Sequence, residues 1–342
     1  MREADIWHAL RYPYLSEYEI MDYAKRTRDE KTRKDMVHLI KRRLYEDIWR
    51  RMQRCGETSP PFIRWKESSF LKDDRRTEIR ETADVRYGHL EVKDDRFIMH
   101  INKRLGSLQK RTLIGHELGH TFLFDVESTP IKPYFDRDRS LDLMRVLHNN
   151  SYAYRKEEAF MYEIGQQILV PSEPLGELVP TSPSLGAFMQ ACGAFLTTKE
   201  LMARRLFHSV YNWEDKTSYW KDCILIMYET SYMTSNDYAP PERDKVFKGS
   251  SLKGINVRKE LWPSLPPILR LAYKRPNQIV NSWEYTDSFR LELLEARGMQ
   301  FDVEALHVPR RERRIYLVLC ARESDTPKKP ASLFLFKKQS PP

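Results

Sequence analysis

An α+β fold with a separate, sheet-rich C-terminal domain is predicted by three features of the sequence. Apolar residues recur at helical spacing over 15–55 and 108–123, short β-rich runs fill 61–102 between them, and beyond 221 the apolar runs have strand length. A chain of 342 residues suffices for about two or three domains. The changes of texture divide it into an N-terminal helical segment (1–58), a mixed core (59–175), a further helical segment (176–220) and a basic, sheet-rich domain (221–342).

In the first helix, Leu39, Ile40, Leu44, Ile48 and Met52 form the apolar stripe, and Gly56 with Ser59-Pro60-Pro61 ends it. Its basic clusters, Lys41-Arg42-Arg43 and Arg50-Arg51, fit phosphate contact or a plain solvated face. Phe62–Trp65, Val85–Tyr87, His89–Val92 and Phe97–Ile101 read as strands, with a hairpin turn at Asp94-Asp95 before the last. A strand directly before helix 108–123 has a mechanical use, because an exposed edge can pair with an extended peptide. The same strand can equally just pack the sheet. A loop rich in acids and prolines follows to about 140, then a helix over 154–169 that Pro171 and Pro174 end. Residues 184–192 and 198–210 read as two short helices, the second capped by Thr197 or Thr198. Their spacing resembles a helix-turn-helix with Lys199, Arg204 and Arg205 on the second helix; it also fits a bundle packed under the core. In the last domain Cys223–Tyr228, Ser282–Leu294, Met299–Val308, Ile315–Arg322 and Leu333–Phe336 read as strands, and Lys337–Pro342 as a loose tail.

No run of about 18 apolar residues occurs, so no transmembrane helix is expected. The charged start, Met1-Arg2-Glu3-Ala4-Asp5, lacks an apolar segment after it, so no secretory signal is read and a cytoplasmic location is expected. Cys55, Cys192, Cys223 and Cys320 are far apart in sequence without a CxxC pair, which fits ordinary thiols rather than a disulfide frame or a structural zinc site. The net charge is +9, and residues 241–342 hold 20 Lys/Arg against 12 Asp/Glu, so nearly all the excess sits there. Such a domain fits contact with nucleic acid or an acidic partner, or a surface that keeps the protein dissolved.

The chemistry points to His116-Glu117-Leu118-Gly119-His120. On a helix, residues i and i+4 leave from one face, so both histidines can reach one metal ion, with Glu117 placed to take a proton from a bound water. Leu113, Ile114, Leu118, Phe122 and Leu123 give the helix an apolar face, and no proline interrupts 103–129. The alternative is a core helix whose two histidines are satisfied by hydrogen bonds. Catalytic zinc needs a third protein ligand. The metzincin spacing is absent, because position 126 is Val and position 123 is Leu. Glu157 and Glu158, at the start of the next helix, are the carboxylate candidates, with Asp136, Asp138, Asp142 and His148 weaker ones.

The blocks RTLIGHELGHTFLF and EEAFMYEIGQQILVPSE together resemble the ImmA/IrrE metallopeptidases, which are gluzincins. The resemblance spans roughly 60–210, and the helix pair LGAFMQACGAFLTTKELMARRLF is similar to the segment that follows the peptidase core in that family. Aligning Ile168-Leu169-Val170-Pro171 with the family's LLMP-like ending puts its ligand glutamate on Glu158, with Glu157 as the alternative. Two departures stand out: Tyr162 replaces a common Asn or Asp, and Gly165-Gln166-Gln167 replaces an alanine-rich stretch.

The resemblance implies a zincin-like metallopeptidase core with zinc on His116, His120 and Glu158, and Glu117 as general base. Tyr152, Tyr154, Tyr162 and His148 are candidates for the oxyanion donor, and Asp125 with the acids of 136–142 for partners of the ligand histidines. It further implies an endopeptidase that cleaves a helix-turn-helix repressor to derepress stress-response or mobile-element genes, with a GAF-like sensor as the C-terminal domain. The competing readings are a DNA-binding or scaffold regulator with a structural zinc site, and a protease effector of a phage-defence or toxin system.

Overall fold

The computed structural model describes residues 13–26, 30–65, 67–134, 152–179, 182–210, 212–229, 244–261, 265–281, 294–296, 299–308 and 314–322. The fold is α+β with a separate sheet-rich C-terminal domain. It divides into two compact units, Met1–Lys221 with Phe247–Ser251, and Asp222–Val246 with Leu252–Pro342.

The N-terminal stripe forms two helices, α1 (Glu17–Arg26) and α2 (Glu30–Arg54), and buries Ile40, Leu44, Ile48 and Met52. Four cations of its basic clusters, Lys41, Arg42, Arg43 and Arg51, are engaged in ion pairs. Arg43 makes a two-pronged contact with Glu19, holding that carboxyl down at about 2, while Arg42 pairs with Glu46 and Arg51 with Asp47. Lys41 and the Tyr45 hydroxyl both donate to Glu163, at 2.7 and 2.6 Å.

A three-stranded sheet follows: β1 (Thr77–Thr82), β2 (Gly88–Lys93) and β3 (Arg96–Asn102), in the order β1-β3-β2. The hairpin turn at Asp94-Asp95 is present between Lys93 and Arg96. Two expected strands are absent. Phe62 and Ile63 are buried in a loop, and the carbonyls of Val85 and Arg86 accept from the Asn102 side-chain amide. The strand before the HExxH helix, β3, is the middle strand, parallel to β1 and antiparallel to β2. Both its edges are therefore filled, and it cannot take a peptide; β1 and β2 are the edges. The burial of Phe97, Ile98, Met99 and Ile101, on alternating faces, fits that central place.

The helix α3 (Ser107–Thr121) carries the motif and leads into a small strand pair, β4 (Phe124–Asp125) with β5 (Lys132–Pro133). Then come α4 (Tyr152–Leu169) and α5 (Ser172–Leu178). Pro171 ends α4 but starts α5, and Pro174 sits inside the first turn of α5, where a missing N–H costs nothing. The paired helices α6 (Leu185–Ala194) and α7 (Lys199–Phe207) are capped by Ser184 and Thr198, whose side chains accept from Ala187 and Leu201 N–H.

A DNA-reading helix needs an exposed face, and α7 has little of one. Leu201, Met202, Ala203, Arg205, Leu206 and Phe207 are buried, and exposed Arg204 pairs with Glu200. Arg205 donates to the Val170 carbonyl at 2.8 Å, Gln167 Oε1 at 3.1 Å and Ser172 Oγ at 3.0 Å. It binds the junction of α4 and α5 rather than facing solvent, so the bundle reading holds for this pair. Truncating Arg205 to Ala removes the donor from the Val170 carbonyl, leaves Gln167 Oε1 and Ser172 Oγ only each other, and opens a void. It should destabilise the protein by about 3 kcal/mol or more, read as a lower urea midpoint. An unchanged midpoint would remove this role.

The C-terminal unit is built on β6 (Cys223–Glu229), β7 (Asp244–Lys248), β8 (Ile279–Asn281), β9 (Leu294–Ala296), β10 (Met299–Val308) and β11 (Arg314–Arg322). The order is β7-β6-β11-β10-β8, with β9 also on β10. The helix α8 (Pro266–Lys274) had no signal in the strand-length pattern. Its Ile268, Leu269 and Ala272 pack with Ile226, Val303 and Leu317 in one buried cluster. Cys223 and Cys320, far apart in sequence, are register partners on β6 and β11, with sulfurs 3.1 Å apart. Residues 282–293, Leu333–Phe336 and Lys337–Pro342 lie outside the described residues. Among the described residues, no helix is long and apolar enough to cross a membrane.

Candidate metal centre

The end of α3 is held from outside the motif. Buried Arg75 donates from Nη2 to the Thr121 carbonyl at 2.6 Å and from Nε to Thr121 Oγ1 at 3.0 Å, and its guanidinium lies 4.0 Å from the Phe122 ring centre. A cation on the last carbonyls suits the negative end of a helix. At the other end, the Gly106 N–H donates to Gln109 Oε1. His116, Glu117 and His120 are all buried along this helix.

The partner helix comes unusually close. A Cβ on Gly119 would stand 2.5 Å from the Met161 carbonyl oxygen, and one on Gly165 would stand 2.5 Å from the Gly115 carbonyl. Backbone meets backbone at both places, so only glycine allows the approach. On α4, Glu158, Tyr162, Gly165 and Leu169 recur at helical spacing and share the face turned to α3. The glycine contact thereby delivers Glu158 to the histidines.

Glu158 Oε2 lies 3.0 Å from His116 Nε2, Glu158 Oε1 3.6 Å from His120 Nε2, and the two Nε2 atoms are 3.3 Å apart. These three residues form a group that can hold a metal ion. The spacing suits a small tetrahedral ion, whose donors about 2.0–2.1 Å from the metal stand roughly 3.3–3.4 Å from one another. The side chains of Glu157, Tyr152 and Tyr154 lie outside the described ones, as do Asp136, Asp138, Asp142 and His148 altogether. Glu158→Gln should weaken metal binding more than the 10–100-fold typical of losing an outer partner, because it removes a donor. Glu157→Gln should leave affinity unchanged. Competition with a chelating dye measures both, and equal affinities would exclude Glu158 as a ligand.

Glu117 stands next to the donors without being one of them. Burial pushes its carboxyl up to about 7; His116 opposes that shift and Glu158 adds to it. Tyr162 stacks on the His116 ring, with centroids 3.9 Å apart, and is partly open to solvent. Burial, then the charges of Glu158 and Glu117, raise its phenol above the usual range. Of the four proposed oxyanion donors, Tyr162 is the one the described side chains bring to the site. Its stacking on His116 is a long-range contact that the sequence does not reveal; the sequence offers the position as one of four donor candidates and as a departure from the family pattern.

Of the partners expected for the ligand histidines, the acids of 136–142 lie outside the described residues, and Asp125 is engaged elsewhere. Asp125 accepts from the Glu127 N–H at 3.0 Å, closing its own turn. Buried His116 Nδ1 has no hydrogen-bond partner among the described residues. A cavity of about 740 Å³ runs beside β1, lined by Trp65, Leu71, Arg76 and Ile79 among others; it contains none of the metal-binding group.

No protein-family model matches the chain, and no curated protein matches its sequence significantly. Among solved structures, a Mycobacterium tuberculosis transcriptional regulator is similar over 81% of this chain and 87% of that chain, with a TM-score of 0.46 and 10% identity.

Proposed function

We propose that this protein is a zinc-dependent endopeptidase whose substrate is a helix-turn-helix transcriptional repressor. The observation that carries the enzymatic reading is a carboxyl, Glu117, buried beside a His116–His120–Glu158 donor group to which it does not belong. A purely structural metal site has no use for such a neighbour. The repressor as substrate rests on the resemblance of the two motif blocks to ImmA/IrrE peptidases.

Zinc held by His116, His120 and Glu158 would supply polarisation of the scissile carbonyl and a water of lowered pKa. Glu117 takes the proton of the attacking water and returns it to the leaving amine. The hydroxyl of Tyr162, whose ring stacks on His116, donates to the oxygen that gains charge as the carbonyl carbon becomes tetrahedral. The peptide is held extended along β2, whose outer edge is unpaired within the sheet and whose Gly88 abuts Leu113 of α3. The C-terminal unit, an antiparallel sheet with a helix on one face, suits a sensor that regulates cleavage; its basic character suits an acidic partner or nucleic acid.

The test is incubation of the full chain, with zinc or with chelator, with the repressor encoded beside its gene. One discrete, zinc-dependent cut is expected. An intact repressor under both conditions would sink the proposal. The competing DNA-binding reading fits less well, because buried α7 leaves no helix of the pair to enter a groove.

A further inference from the structure

The C-terminal unit carries a feature that the peptidase reading does not use. Cys223 and Cys320 face one another across β6 and β11 as register partners. The Cys223 thiol donates to Cys320 Sγ, 3.1 Å away. The next residue pair fixes the kind of position they occupy. The Ala321 N–H donates to the Asp222 carbonyl at 2.9 Å, so 321/222 is a hydrogen-bonded pair and 320/223, by alternation, is not. Antiparallel partners without mutual hydrogen bonds have Cα atoms about 4.5 Å apart, within the range of about 4.4–6.8 Å that a disulfide spans. The backbone is therefore already set for a cross-strand bond, and only the sulfurs need close.

We propose that Cys223 and Cys320 form a two-electron redox site that closes to a disulfide between β6 and β11. The two thiols differ in access. Cys223 is buried, whereas Cys320 is partly exposed. A peroxide therefore meets Cys320 first. Its thiol gives up a proton, the thiolate attacks one peroxide oxygen, the O–O bond breaks, and Cys320 sulfenic acid and hydroxide result; the hydroxide takes back that proton and leaves as water. The Cys223 sulfur then attacks the Cys320 sulfur and expels hydroxide, which takes the Cys223 proton and leaves as a second water. In sum two thiols and one hydroperoxide give one disulfide and two waters, and the thiols lose two electrons. Cys223, hydrogen-bonded to Cys320 and desolvated, is held protonated, so it does not compete for the peroxide. Cys55, also partly exposed, and buried Cys192 provide internal controls.

This inference does not depend on the peptidase reading. The experiment is a titration of the reduced full chain with hydrogen peroxide, followed by denaturation, alkylation, digestion and mass spectrometry. Two of the four thiols should disappear together. One linked peptide, lighter by two hydrogens, should join Cys223 to Cys320, and dithiothreitol should restore all four thiols. Cys320→Ser should abolish the linked peptide and Cys55→Ser should leave it. The proposal fails if Cys55 oxidises while Cys223 and Cys320 still alkylate, or if Cys320 proceeds to sulfinic acid without linking.

Discussion

Replacing Glu117 with Gln will lower zinc-dependent cleavage by on the order of 10²–10⁴-fold and leave metal stoichiometry unchanged. The amide has the shape of the carboxyl but cannot hold the proton that the attacking water must lose. Glu117 is not among the three donors, so the metal should be retained. Folding should also survive, because a carboxyl buried to 5% exposure is costly to ionise and a neutral amide carries no such cost. Turnover measured beside zinc content separates the outcomes. Full activity in Glu117→Gln would overturn the general-base role, and joint loss of zinc and activity would mean the residue supports the ligands instead.

Gly119→Val is expected to dismantle the site without touching a ligand. Even the first added carbon stands 2.5 Å from the Met161 carbonyl oxygen, and valine adds two more methyl groups against fixed backbone. Overpacking of this kind costs about 1–3 kcal/mol, and relief requires α4 to move away from α3. Glu158 moves with α4, and donors spaced 3.0–3.6 Å cannot tolerate a shift of about 1 Å. Metal affinity should fall at least tenfold and the melting temperature by several degrees. Gly193→Ala is the control: its added carbon meets nothing within 4 Å, so neither quantity should fall. If Gly119→Val binds metal as the parent does, the close helix contact is not what positions Glu158.

Much of this is legible in the sequence, and what is not has physical causes. The motif helix was legible because its apolar face and its histidines share one period. Glu158 was legible only through a second motif block, since nothing in local spacing separates it from Glu157. The strand Thr77–Thr82 escaped notice because an edge strand wets much of its surface, and Thr-Glu-Ile-Arg-Glu-Thr offers a single large apolar residue. Proline at 171 and 174 was read as a stop, although proline suits the first turn of a helix as well as its end. Both short helices and the Thr198 cap of α7 are legible in the sequence, yet Arg205 points inward, which charge alone cannot reveal. Pairing across a sheet is a long-range property, so the juxtaposition of Cys223 with Cys320 was equally hidden.

Arg205 bears on how small a working fragment can be. It reaches back from α7 to Val170 and Gln167, at the end of the helix that carries Glu158. A fragment ending near 175 would keep all the predicted donors in its sequence yet leave those acceptors without their cation. The two motif blocks and the helix pair behind them therefore open and close as one cooperative body. A cut in the stretch between α5 and α6, by a foreign protease or by the protein itself, would act as an off-switch for the site upstream of the clamp.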